Sequence, residues 1–319
     1  MQRVERRHVR YHVRGDVPPV LQVRPGESFL VETDDFLTGS VRSADDLATE
    51  EGTLPYSRST PPRWNPVTGP VFVEGAERGD ALVVEFERIV PDARGVCCIV
   101  PGIGPLADSR RWPELGDAAT IVIEHEPGPS GTTRDGMAHW GSRTWSLNPF
   151  IGTIGVAPDH EVESSLVGQG VWGGNWDCRD LKEGSRLFLP VYHEGGLLYV
   201  GDMHGSQGDT EWCGVANEVR GEVVLSCGVL KGKRIPYPRL EKPDSIVQLY
   251  ADRPLEDAVR AATTLLMEWL VEEYGFSPRD AYFLLSVASD FRINVYQMVR
   301  AGRLNYTVGA ELPRYHLTT

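Results

Sequence analysis

Between Gly201 and Gly214 the chain carries Asp202, His204, Gln207, Asp209, Glu211 and Cys213, a dense set of titratable and polar groups for so short a stretch. The apolar run Leu197-Leu198-Tyr199-Val200 ahead of it reads as a buried strand that delivers this cluster at its end. Side chains alternate along a strand, so Asp202 and His204 are expected on one face. A carboxylate oxygen beside an imidazole nitrogen is half of a coordination shell for a divalent metal. Gly205 and Gly208 permit a tight turn, after which Asp209 and Glu211 form a second pair of carboxylates facing back. A carboxylate beside a metal can act as general base in hydrolysis. A polar turn closing a hairpin would use many of the same residue types. The density of ionisable groups beside an apolar strand favours chemistry.

Two further stretches join it. Gly173-Gly174-Asn175-Trp176-Asp177-Cys178 lets the backbone approach closely and then offers an amide, a carboxylate and a thiol. Asn148 to Pro158 holds Gly152 and Gly155, whose amides are candidates for an oxyanion position. Asn175 and Asp177 have turn capping as their simpler alternative. A thiol hydrolase is the rival chemistry, with Cys213 or Cys178 as nucleophile and His204 as base. A serine- and glycine-rich nucleophile segment with a catalytic lysine is not found.

The elements that must position these groups are mostly strands. Gly 34 and Pro 23 punctuate short runs of Val, Ile, Leu and Phe. Strands are expected over Pro70 to Val73, Leu82 to Ile89, Val96 to Val100, Thr120 to Glu124, Phe188 to Tyr192 and Glu222 to Cys227. Two long connections, Ser40 to Val67 and Pro127 to Asn148, are expected as lids, binding loops or disordered inserts. The C-terminal third turns helical. Leu255 to Tyr274 is rich in helix formers and stops at Gly275, and a second helix runs from Pro278 to about Val287 behind the cap Ser277. The expected fold is α+β and predominantly β, with stacked sheets or barrel-like β units and a C-terminal helix pair. Residues 1–250 form the β-rich core, and 251–319 form a helical segment packed on it as one integrated domain.

With 319 residues and 41% hydrophobic composition the chain can bury a large core. A formal net charge of -13 argues against a nucleic-acid surface. No apolar run approaches the length of a membrane span. The basic N-terminus lacks the apolar segment of a signal peptide. Five irregularly spaced cysteines, Cys97, Cys98, Cys178, Cys213 and Cys227, read as free thiols in a reducing compartment. A cytoplasmic homodimer or higher homo-oligomer, with a small molecule as its partner, is expected.

Thr68 to Ala76, Asn148 to Pro158, Gly173 to Leu181, Leu189 to Gly214 and Asp280 to Ile293 are similar, in order, to signature segments of the acetamidase/formamidase family, with Gly201-Asp202-x-His204-x-x-Gln207-Gly208-Asp209 the most specific part. The resemblance implies a metal-dependent hydrolase that cleaves the C–N bond of a small linear amide to carboxylate and ammonia by attack of metal-activated water. It puts Asp177, Asp202 and His204 at the metal, with Gln207, Asp209 and Glu211 around it. Glu211 is expected as the base, with Asp209 next in line, and Asn175, Gln207, Gly152, Trp176 and Trp212 are expected around the substrate. Zinc suits a histidine and carboxylate set, and calcium alone would point to a structural role. The chain departs from the family pattern at Thr210, where a glycine is usual, at Trp212, where a smaller aliphatic is usual, and at Gly15-Asp16, where the family has a Trp-Asp pair. The aromatic bulk of Trp176 and Trp212 bears on substrate size. The remaining alternatives are the cysteine-dependent amidase and a non-catalytic β-sandwich binding protein with a structural metal.

Overall fold

Strands rich in branched apolar residues hold the molecule together, and the longest, Ala81–Pro91 and Gly221–Leu230, pair antiparallel along nearly their whole length. They lie inside a nine-stranded sheet ordered Gln2–Val4, Phe29–Thr33, Gly221–Leu230, Ala81–Pro91, Arg186–Pro190, Arg239–Glu241, Ser245–Asp252, Tyr306–Pro313, Arg292–Gln297. The computed structural model describes residues 1–49, 63–160 and 162–317.

A seven-stranded sheet shares its core with the first. Its centre is the pair Phe150–Val156 and Leu198–His204, flanked by Gly173–Asn175 on one side and Val67–Val73 on the other. Val84, Val223 and Leu225 of the larger sheet and Ile151, Ile154 and Val200 of the smaller one belong to one buried cluster. Of the two arrangements expected, stacked sheets is the one found, and none of the sheets among the described residues closes into a barrel.

The helices follow the sequence closely. Leu255–Tyr274 buries Ala258, Ala262, Leu266, Trp269 and Leu270, a stripe at helical spacing, against Ile246, Val308, Ala310 and Leu312 of the sheet. Gly275 ends it with φ 74, the left-handed conformation that glycine adopts without penalty. Ser277 Oγ accepts the Asp280 N–H at 3.1 Å and starts Pro278–Val287. No helix among the described residues is long and apolar enough to cross a membrane.

Two expectations need correction. The segment after residue 251 is not purely helical: Arg292–Gln297 and Tyr306–Pro313 pair with each other, and the latter pairs with Ser245–Asp252, so this third of the chain completes the large sheet. The stretch 127–148 is not a structureless lid either. It contains the hairpin Met137–Trp140 and Arg143–Ser146, which extends a four-stranded sheet with Ala119–Glu126 and Arg94–Ile99. The other expected lid falls partly outside the described residues, at 50–62.

Candidate active site

The site grows from an interruption in the central strand pair. Phe150 registers with His204, Ile151 with Met203 and Thr153 with Gly201, while Gly152 and Asp202, which stand opposite each other in the same register, are not paired. Asp202 takes φ 58, and the Gly152 carbonyl accepts the backbone N–H groups of Trp176 (2.9 Å) and Asp177 (3.1 Å) instead of a partner in the pair. A third segment is thereby pinned against the first two. A Cβ on residue 152 would lie 2.6 Å from Asp202 Oδ2 and 2.8 Å from Asp177 Oδ1. Glycine is required there because two carboxylates occupy the space.

Around His204 Nε2 stand Glu218 Oε1 at 3.2 Å, Asp202 Oδ1 at 3.3 Å and Asp177 Oδ1 at 4.0 Å. Glu211 joins Asp177 and His204 in a second group whose ligand atoms also lie within 4.8 Å of one another. All five residues are 7% exposed or less. Their positions are fixed from behind. His204 Nδ1 meets Gln207 Oε1 at 3.0 Å, and Gln207 Nε2 donates to the carbonyls of Asp177 (3.0 Å) and Tyr296 (2.9 Å). Thr153 Oγ1 is 3.0 Å from Asp202 Oδ2, and Gln297 Nε2 donates to Asp177 Oδ2. Phe150 packs edge-on against the imidazole at 4.9 Å.

Four buried carboxylates facing one imidazole cannot all ionise without a compensating charge. Burial, and then the charge of Asp202, pushes the Asp177 carboxyl up to about 7. Glu211 is raised well above its ordinary value by burial and then by Asp177. Burial raises Glu218 too. Burial opposes a charge on His204, but the carboxylates of Glu218 and Asp202 outweigh it and raise its pKa well above 6.5. Either protons or a cation must therefore settle the cluster.

The donor set fits a cation. Bonds of 2.0–2.1 Å to a tetrahedral ion place neighbouring ligand atoms about 3.3 Å apart, and Glu218 Oε1 and Asp202 Oδ1 stand at 3.2 and 3.3 Å from His204 Nε2. Glu218 Oε2 is buried without a hydrogen-bond partner. With Nδ1–H directed to Gln207, a neutral His204 presents its Nε2 lone pair inward.

Asp177, Asp202, His204 and Glu211 thus converge from segments far apart in sequence, and four other expected positions lie elsewhere. Asp209 turns outward, 61% exposed, and pairs with Arg179 at 2.7 Å, so it does not face the other carboxylates. Trp176 is buried edge-on against Tyr237 at 5.6 Å. Trp212 is 55% exposed on the wall of a different cavity of about 590 Å³. Gln207 stands behind the imidazole and lines that second cavity, rather than the one that the carboxylates open into. Asn175 does line the carboxylate cavity, though its amide is spent on Thr153 and the Leu166 carbonyl. Glu218 and Gln297 were not anticipated. Glu218 lies in the mixed stretch Val215-Ala216-Asn217-Glu218-Val219-Arg220 and is held by backbone bridges to both His204 and Val96. Gln297 sits on a strand that the helical reading concealed.

The thiols are placed differently. Cys213 Sγ lies 3.5 Å from Cys97 Sγ on the second cavity, and the hydrogen bond from Cys97 lowers its pKa to about 7. The His204 nitrogens are directed to Gln207 and the carboxylates, which leaves that thiol without an imidazole base. Cys178 is buried, which pushes its thiol pKa up.

The carboxylates open into a cavity of about 320 Å³. Two crystal structures share this architecture: an acetamidase from Bacillus halodurans, 28% identical with a TM-score of 0.85 over 98% of both chains, and an acetamidase from Yersinia enterocolitica, 31% identical with a TM-score of 0.86 over 100% of this chain and 93% of the other. A putative formamidase of Schizosaccharomyces pombe is 28% identical over 70% of this chain, which spans 64% of that relative's length. A profile of the acetamidase/formamidase family matches residues 1–169 and 166–313, and this chain belongs to that family.

Proposed function

We propose that the chain is a metal-dependent amide hydrolase that releases ammonia from a carboxamide, and the observation that carries this is the buried cluster of four carboxylates around His204 Nε2. The names of its relatives, acetamidase and formamidase, supply the bond. Asp202, His204 and Glu218 would hold a divalent ion, and zinc suits their mixed nitrogen and carboxylate donors. Such an ion, when bound, lowers the pKa of water to about 7 and polarises a carbonyl.

The protein supplies the proton path. Glu211 lines the cavity within the same group as Asp177 and His204 and is the base that takes a proton from the attacking water and returns it to the departing nitrogen. Its raised pKa in the ion-free protein falls once a cation's charge is present. Asp177 is fixed opposite by Gln297 and orients the approach. Gln207 holds the imidazole tautomer that keeps Nε2 free.

Ammonia release from acetamide, measured beside elemental analysis of the same sample, tests this. Turnover should track bound metal, vanish with a chelator and return with zinc, and Cys213→Ser should keep it. Turnover that survives complete metal removal but is lost in Cys213→Ser would establish a thiol nucleophile instead.

A further inference from the structure

The cavity that the carboxylates open into is far larger than the smallest amides need. At about 30 Å³ per water-sized atom, the 320 Å³ cavity takes roughly ten non-hydrogen atoms. Acetamide, with four, would fill less than half of it and leave apolar walls wet.

Those walls are Phe36, Trp64, Ile103, Leu166, Val299 and Leu304, with the carboxylates, His204, Asn175 and Gln297 also lining the cavity. Phe36 and Trp64 meet edge to face at 5.7 Å and 62°, a rigid aromatic surface. The cation in the lining, Arg300, already stands 3.6 Å from Asp108, so the acyl side calls for no anionic substituent. Trp176 and Trp212, whose bulk bears on substrate size in the sequence, are both outside this lining. Selectivity therefore rests on this apolar lining, whose six residues named above come from loops that the chemistry leaves free to vary.

We infer that this site, on the amide-hydrolase reading above, takes uncharged carboxamides with an apolar acyl group of medium size, of which phenylacetamide is representative, in preference to one- and two-carbon amides. The amide group lies at the His204 end, and the acyl chain or ring displaces water from the Phe36–Trp64 wall. Each methylene moved from water to that wall raises kcat/KM about fourfold.

The test is a series of acetamide, butyramide, hexanamide and phenylacetamide on the metal-replete enzyme, with kcat/KM from ammonia release and dissociation constants from calorimetry. Phenylacetamide should exceed acetamide in kcat/KM by on the order of 10²-fold and bind more tightly. Ile103→Trp, which fills the acyl space, should lower the phenylacetamide-to-acetamide ratio by about tenfold or more. Leu304→Phe should do the same if the first variant does not fold. Turnover of acetamide with no binding or turnover of the larger amides would overturn this inference and leave amide hydrolysis standing. Failure to turn over any of the four would overturn both.

Discussion

In the Leu255–Tyr274 helix the buried residues are Ala258, Ala262, Leu266, Trp269 and Leu270, all in ordinary helical conformation, and the helix ends where a glycine lets it. Four residues in or beside the cluster around His204 do the opposite. Asp177, Asp202, Thr210 and Glu211 have φ of 45, 58, 71 and 53, and three of the four bury a carboxylate. One region follows local propensity and apolar burial, and its formation is favourable on its own terms. The other is held against local preference by the sheets around it, at about 1–3 kcal/mol for each such backbone conformation. Strain and buried charge collected at one place mark where the molecule spends stability on chemistry.

Mutations should separate the two regions most sharply at the imidazole. His204→Ala deletes the one nitrogen donor of the cluster and should abolish both metal binding and turnover, read by elemental analysis and ammonia release. Retention of a stoichiometric ion in that variant would show that the carboxylates alone form the site. Next in size is Glu211, the proposed base. Glu211→Gln preserves shape but not proton acceptance, so the ion should stay while turnover falls by on the order of 10²–10⁴. Asp209→Asn, two residues earlier on the exposed side of the same turn, should change turnover less than about twofold, since surface pairs such as Asp209–Arg179 contribute little. Equal losses in the two variants would mean that the turn, rather than the Glu211 carboxylate, is what matters.

A smaller effect distinguishes the regions by pH. In the ion-free protein the Asp177 pKa is raised to about 7, and those of Glu211, Glu218 and His204 are raised as well, so the folded state holds protons that the unfolded state releases. That contribution to stability is complete below the unfolded-state values and is lost as pH rises through the folded ones. The Tm of chelator-treated protein should fall by a few degrees between about pH 6 and 8, and saturating zinc should flatten the dependence. A Tm that rises over this range without metal would show that the cluster does not retain its protons.

How far the sequence reveals the molecule follows the same division. Helix bounds were legible at Leu255, Tyr274, Pro278 and Val287 because caps, glycine and apolar spacing are local signals. Asp202, His204 and Glu211 were legible as a dense polar cluster behind an apolar strand. Glu218 was not, because its role depends on a bridge to His204 rather than on its neighbours in sequence. Asp209 misled for the converse reason: it sits in the motif but on the outer side of a turn whose direction is set by two consecutive left-handed residues. Gln297 and its strand were hidden because Arg292–Gln297 follows a helix with only a short break, and pairing with Tyr306–Pro313 is a tertiary fact.

Thr210 permits the finest comparison. Its φ of 71 and ψ of -10 are those of a left-handed residue, where a β-branched side chain is strained, and the resemblance read from the sequence implies a glycine at this point. The Thr210 Oγ1 is also buried without a hydrogen-bond partner, while its carbonyl accepts the Met298 N–H at 3.0 Å, a bond that glycine would keep. Thr210→Gly relieves the backbone strain, at about 1–3 kcal/mol, and removes the unpaired hydroxyl. Against this stands the greater freedom of glycine in the unfolded chain, at about 0.5–1 kcal/mol. The balance favours the variant by about 1 kcal/mol, seen as a higher urea midpoint with an unchanged denaturant slope. Turnover should shift by less than threefold if the sheets alone fix Glu211, and by more if Thr210 helps to hold its neighbour in place. A lower midpoint would show that the threonine is stabilising at a position where its conformation says otherwise, and would remove the turn from the strained half of the comparison.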